Sequence, residues 1–200
     1  MTTQPRWREL AAAGHGGDEA VVRAALADDD PVARELALGA LARLGVLADA
    51  DLIAAFADPA AQVRRRAAQL AATHPTIDLL PLLRDADATV VEVGAWAAGE
   101  HEVVADEVLA LLCELAVAAD DALVREAAVA ALGAIGDERG LPAILHGCAD
   151  KPAIRRRAVL ALAPFTGPEV DAALQAALAD RDWQVRQAAE DIAASMQHDT

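Results

Sequence analysis

A short pattern recurs six times along this chain: an Asp, a Val or Ile a few residues later, an Arg, and a small residue three positions beyond the Arg. The six Arg-type positions are Arg34, Arg64, Val91, Arg125, Arg155 and Arg186, with Val91 replacing the Arg in the third repeat. They lie 30, 27, 34, 30 and 31 residues apart. This spacing predicts an array of similar units, each of which buries its apolar face against its neighbours.

Each repeat is predicted to contain two helices. The second helix begins near the Arg and runs for about 13 residues, because apolar residues follow it at i, i+3 and i+4 spacing. Gly45 and Gly136 are placed to end two of these helices. The predicted first helices cover Asp18–Ala27, Ala50–Ala57, Ile77–Arg84, Asp106–Ala118, Leu141–Cys148 and Pro168–Ala179.

One domain is predicted over residues 1–200, with a cap at 1–17, six repeats at 18–195 and a polar tail at 196–200. The cap contains a helix near Pro5–Ala13 that includes Trp7 and Leu10, and it covers the first helix pair. The polar tail fits a solvent-facing end of the array.

The composition agrees with closely packed helices and limits which classes of partner the chain can bind. Hydrophobic residues make up 55% of the chain but aromatic residues only 2%, so Ala, Leu and Val must form the core. The formal net charge of −15 disfavours nucleic acid and anionic membranes, which both require a positive surface. The Ala, Asp and Arg bias is typical of bacterial genes.

The segments Val124–Gly136 and Val90–Gly99 resemble the second helix of HEAT repeats, in the bacterial form called phycobilin-lyase-like. The resemblance implies an all-α solenoid wound as a right-handed superhelix, with the second helices along a concave surface. It also implies a ladder in which each second-helix Arg pairs with a turn Asp of a neighbouring repeat. Its members here are Arg34, Arg64, Arg125, Arg155 and Arg186. Val91 departs from that pattern and leaves one rung in doubt.

HEAT-family enzymes provide alternatives to a binding role. The di-iron deoxyhypusine hydroxylase has His-Glu pairs directly after the repeat anchor, and no His occurs at those positions here. An alkylpurine DNA glycosylase needs a basic groove with aromatic residues, and a bilin lyase needs a site for the pigment. The sequence favours neither activity, so we predict that the chain is not an enzyme.

Histidine and cysteine give no strong site. His74 and His101 occupy corresponding positions in neighbouring repeats, but about one repeat apart they are too distant to share a metal ion. We therefore predict exposed loop histidines, no metal and no cofactor. Cys113 and Cys148 are predicted to be buried thiols in a reducing cytoplasm.

The most informative prediction concerns the concave surface. Positions one, four, five and eight after each Arg are predicted to point outward. The candidate partner-binding residues are Trp96, Glu92, Arg65, Val129, Arg156 and Leu160. Trp96 is either an exposed anchor or packing between helices, while Trp183 is expected to be half-buried. The predicted function is a monomeric, non-catalytic scaffold that binds a basic or helical protein.

Overall fold

A computed structural model describes Trp7, Ala12 and residues 18–198, in which every regular element is helical. The helices form six consecutive pairs, as predicted. They are α1 (Glu19–Ala24, extended by a 3-10 turn at Ala25–Ala27) and α2 (Pro31–Leu44); α3 (Asp49–Ala55) and α4 (Ala61–Ala71); α5 (Leu80–Leu83) and α6 (Ala88–Gly99); α7 (Asp106–Ala118) and α8 (Ala122–Ile135); α9 (Leu141–Gly147, after a 3-10 turn at Glu138–Gly140) and α10 (Pro152–Ala161); and α11 (Pro168–Leu178) and α12 (Trp183–His198). This confirms an all-α, α-solenoid chain.

The helix ends follow from local sequence chemistry. The side chains of Asp30 and Asp121 accept hydrogen bonds from the second backbone N–H beyond them and so cap α2 and α8. Gly45 and Gly136 end the same two helices at φ angles of 72° and 68°. A glycine adopts this left-handed conformation without steric cost, which confirms both residues as helix stops.

The largest departure from the predicted boundaries is α5, which begins at Leu80 rather than at Ile77. Asp78 accepts the backbone N–H of Leu80 at 2.9 Å, and this bond starts the helix there. The predicted cap helix at Pro5–Ala13, Leu10 included, lies outside the described residues except for Trp7 and Ala12, as does the end of the predicted tail.

Contacts divide the chain into two compact units, Met1–Ala97 and Ala98–Thr200, so the single domain predicted over residues 1–200 stays a prediction. In the first unit, α2 and α4 pack side by side. In the second, α8, α10 and α12 do so. Within the part of the chain that the structure describes, no helix is both long and apolar enough to cross a bilayer.

Small residues allow the second helices to approach each other closely. A Cβ atom on Gly133 of α8 would lie 2.5 Å from Cβ and 2.6 Å from Cα of Ala161 in α10. Because one of these atoms belongs to the backbone, no side-chain rotation would relieve the contact. The Ala-rich, ring-poor composition therefore produces the tight helix packing that it predicts.

Candidate interaction surface

Four Arg–Asp pairs join the second helix of one repeat to the turn that precedes the second helix of the next. In each pair Nε and Nη2 of the Arg donate to the two carboxylate oxygens of the Asp at 2.6–3.1 Å. The pairs are Arg34–Asp58, Arg64–Asp85, Arg125–Asp150 and Arg155–Asp180. The structure thus confirms four rungs of the predicted ladder, in the bidentate geometry that makes such pairs strong.

Each Arg of the ladder also binds its own repeat. Nη1 of Arg34 donates to the carbonyl oxygens of Asp28 and Asp29 at 2.7 and 3.2 Å, just before its own helix. Nη1 of Arg125 makes the same two contacts with Ala119 and Asp120. One guanidinium therefore satisfies carbonyls of its own turn and the carboxylate of the next.

The Asp of each rung also orders the turn before the helix that follows. Oδ1 of Asp85 accepts the backbone N–H of Asp87 at 2.8 Å, and Oδ1 of Asp180 accepts that of Asp182 at 2.8 Å. The hydrogen bond from Arg64 lowers the pKa of Asp85, and that from Arg155 lowers the pKa of Asp180. Both carboxylates are therefore held in the charged form.

Two positions depart from the ladder. Val91 stands where the third repeat would carry its Arg, and Ala119 stands where the fourth repeat would carry its turn Asp. Both positions of that rung are thus apolar, so no charge is left without its counterpart there.

In the sixth repeat, Nη1 of Arg186 donates to the carbonyl oxygens of Asp180 and Arg181. Its Nε and Nη2 donate to no carboxylate of a described residue. The fifth predicted rung is therefore not formed within the part of the chain that the structure describes.

The side of the second helix next to the ladder is partly exposed. At about 100° per residue, positions one, five and eight after the Arg lie about 80–140° around the helix from it. Arg65 and Arg156, at position one, are exposed, and Leu160, at position five, is half-buried. Within the described residues neither Arg65 nor Arg156 makes an ion pair.

The prediction that position four also points outward was wrong for Val129, which is fully buried. Position four lies only about 40° from the ladder Arg, on the side that packs against the neighbouring helix. Leu38, Ala68, Ala95 and Val159 occupy the same position in other repeats and are buried as well. Val129 therefore belongs to the core rather than to a partner-binding surface.

Trp96 projects from α6 with 43% of its surface exposed. Glu92, one turn earlier on the same helix, is half-buried, and both residues belong to the first unit together with Arg65. A tryptophan this exposed in a chain with so few aromatic residues is available for contact with a partner.

In the second unit, Arg156 and Leu160 of α10 line one small cavity together with residues of α12. The α12 residues include Trp183, Gln187 and Asp191. Trp183 is 64% exposed, so the prediction that it is half-buried was wrong. It begins α12, where no preceding turn of that helix covers its ring. The position of Trp183 directly after the turn, at the start of its helix, was the sequence signal that could have indicated this exposure.

The histidines differ from the predicted exposed loop residues. His101 is buried, and Nδ1 of His74 lies 2.6 Å from Oδ1 of Asp49. Thr76 donates to the other oxygen of Asp49 at 2.8 Å. These two contacts lower the pKa of Asp49, with that from His74 the larger. Among the described residues no group of three or more His, Cys, Asp or Glu side chains could hold a metal ion.

Comparison with known proteins identifies the repeat. A model of HEAT repeats matches residues 78–153, and a model of the PBS lyase HEAT-like repeat matches residues 154–180. The two matches are contiguous and together span just over half of the chain. This chain belongs to the HEAT-repeat family. No curated protein matches this HEAT-repeat chain.

Solved structures resemble the HEAT-repeat chain in fold. An X-ray structure of the Escherichia coli protein YibA is 18% identical, with a TM-score of 0.61 over 77% of this chain and 60% of that one. An engineered protein is 19% identical, with a TM-score of 0.60 over 86% and 94% of the two chains. Human deoxyhypusine hydroxylase in complex with glycerol is 18% identical and covers 99% and 92%, but its TM-score is 0.43. This chain thus spans about 60% of the YibA chain.

Proposed function

We propose that this HEAT-repeat protein is a non-catalytic scaffold that binds another protein through the exposed side of its second helices. One observation carries the proposal: two of its three tryptophans, Trp96 and Trp183, lie on second helices and are 43% and 64% exposed. Tryptophan is the residue most enriched among those that dominate protein–protein binding energy. The core does not need these rings, because Ala, Val and Leu fill it.

The surroundings of the two tryptophans support a protein partner. Arg65 and Arg156 are exposed guanidinium groups without an ion pair in the described part of the chain, so each has donors available for a partner's carboxylate or carbonyl groups. The net charge of −15 favours approach by a partner that is neutral or basic as a whole. We also propose a cytoplasmic location, since Cys113 and Cys148 are both free thiols.

Affinity capture with a matched control tests the proposal. Wild-type protein, Trp96→Ala and Ile53→Ala are used as bait in extracts of the source organism, and bound proteins are quantified by mass spectrometry. Ile53 is 57% exposed on the first helix α3, so its variant removes a comparable apolar side chain from another surface. We expect one or more proteins to be lost with Trp96→Ala and retained with Ile53→Ala. Identical capture by all three baits would contradict the scaffold surface.

A second candidate function rests on the match to the PBS lyase HEAT-like repeat over residues 154–180. In that case the chain is an accessory protein for attachment of a bilin pigment to a partner. The same capture decides between the two, because a captured protein that carries a covalent bilin absorbs visible light. A colourless partner supports the scaffold role instead.

A further inference from the structure

The sixth repeat presents the Arg half of a ladder rung. Nη1 of Arg186 donates to the carbonyl oxygens of Asp180 and Arg181 at 2.7 and 3.2 Å. Nη1 of Arg34 and of Arg125 make the equivalent bonds at the same two distances. Because a guanidinium is planar, these bonds fix the direction of its other edge, which carries Nε and Nη2. Arg186 therefore holds that edge as the Arg residues of the complete rungs do.

The four complete rungs show what this edge binds. In each, the occupant is an Asp that precedes a helix by two or three residues. The Asp is already oriented, since one of its oxygens accepts a backbone N–H just beyond it, as Asp58 does from Ala60 at 2.8 Å. In all four rungs the bound group is therefore a pre-oriented Asp of a turn at the start of a helix.

An apolar contact lies next to this charged group. Trp183 precedes Arg186 by three residues, which places the two side chains about 60° apart around the first turn of α12. Its ring is 64% exposed, more than that of Trp96. A partner whose Asp reached Arg186 would therefore find an aromatic surface beside it.

We propose that the first turn of α12 is a docking site for the acidic turn of a partner helix. The partner carries an Asp two or three residues before the helix, with an apolar residue close by that covers Trp183. It is otherwise neutral or basic, because a net charge of −15 repels an acidic protein. The inference rests on the proposed scaffold role and adds the chemistry of the partner segment.

Selection from a library tests the site before any natural partner is identified. The probe is a displayed library of stable helical hairpins whose turn between the helices is randomised at five or six positions. Selection on the wild-type chain is expected to enrich turns that contain an Asp two or three residues before the second helix. Enrichment of turns without an acidic residue, or no enrichment at all, would overturn the proposal.

Variants then assign the binding to Arg186. We expect Arg186→Gln to weaken the enriched hairpins about tenfold or more, since a bidentate charged pair is lost. Arg181→Gln is the matched control, because it removes the same charge from an exposed position five residues earlier, and we expect a change of less than about twofold. Equal losses in the two variants would indicate attraction by charge alone and would reject the site.

A reciprocal change protects the test from misfolding. Asp→Asn in the selected hairpin leaves the scaffold untouched and should weaken binding as much as Arg186→Gln does. If the hairpin variant binds normally, the docking proposal is wrong. Trp96→Ala should leave hairpin binding unchanged, so loss of the captured partner in that variant reports on the scaffold surface and not on this site.

Discussion

The triplets Arg64–Arg66 and Arg155–Arg157 place identical side chains in three different surroundings. The first Arg of each triplet is mostly buried in a ladder rung, and the second is exposed without an ion pair among the described residues. The third contacts a neighbour: Arg66 donates to Gln69, and Arg157 lies 3.6 Å from Glu126. Because successive residues are about 100° apart around a helix, direction decides the role of each Arg.

This comparison separates residues that stabilise the array from residues available to a partner. A basic triplet would otherwise be taken for a single positive patch. In both triplets the ladder removes one charge from the surface, and a neighbouring polar side chain contacts another. Of these six side chains, Arg65 and Arg156 remain as donors for binding.

Among the Arg variants, removal of a ladder Arg is expected to have the largest effect. Arg155→Ala leaves Asp180 without its partner in a pair whose side chains are only 8% and 15% exposed. We expect the free energy of unfolding to fall by about 2–4 kcal/mol, measured by urea denaturation. Arg156→Ala, the adjacent exposed residue, should change it by less than about 0.5 kcal/mol. Similar losses of stability in the two variants would contradict the distinction between the buried ladder Arg and its exposed neighbour.

Acid should weaken the ladder. Arg155 lowers the pKa of Asp180 below its ordinary 3.8, so the folded state binds this proton less readily than the unfolded state. The stabilisation is therefore complete above about pH 4 and is lost as the pH falls through the lowered pKa. The stability difference between wild-type protein and Asp180→Asn should shrink below about pH 4. The control is Asp171→Asn, which removes an exposed carboxylate of α11 outside the ladder and is measured over the same pH range.

A smaller effect on stability is expected at Trp96, where the sequence leaves packing and partner contact both open. Because 43% of the surface of Trp96 is exposed, Trp96→Ala should lower the free energy of unfolding by about 1 kcal/mol. Fully buried Phe165 provides the contrast, because Phe165→Ala should cost about 3–5 kcal/mol. If Trp96→Ala costs as much in a melting experiment, the ring is core packing and the anchor hypothesis is wrong.

No effect is expected with duplex DNA. Arg65 and Arg156 are isolated exposed cations on a chain of net charge −15, which repels phosphates. A gel shift with micromolar protein at physiological salt should show only free DNA. A complex that dissociates steeply with added salt would show that the triplets act together as a basic surface.

The sequence predicted the fold well because the fold depends on local and periodic signals. The Arg spacing located the six helix pairs, and Gly45 and Gly136 marked two helix ends correctly. The four rungs could be assigned because each consists of one residue type at a repeated position. The short helix α5 was harder, since a single side-chain bond from Asp78 sets its start.

The candidate site was predicted less well because exposure depends on neighbours in space. Val129 was assigned to the surface although position four faces the adjacent helix, and Trp183 was assigned partly to the core although nothing in α12 precedes it. The contact of His74 with Asp49 joins residues 25 positions apart and has no local signal. Arg65 and Arg156 were identified correctly as exposed, since their direction follows from the helix period alone.

The ladder also bears on how such a gene can lengthen. The fifth repeat carries the halves of two different rungs, because Asp150 pairs with Arg125 of the preceding repeat and Arg155 pairs with Asp180 of the next. A tandem duplication of the fifth repeat would therefore create a junction in which Arg155 meets a second Asp150, and every charge would keep a counterpart. Duplication of the third repeat would place Val91 opposite a second Asp85, and that carboxylate would have no Arg partner. Charge pairing therefore allows the duplication of some repeats and would destabilise the product of duplicating others.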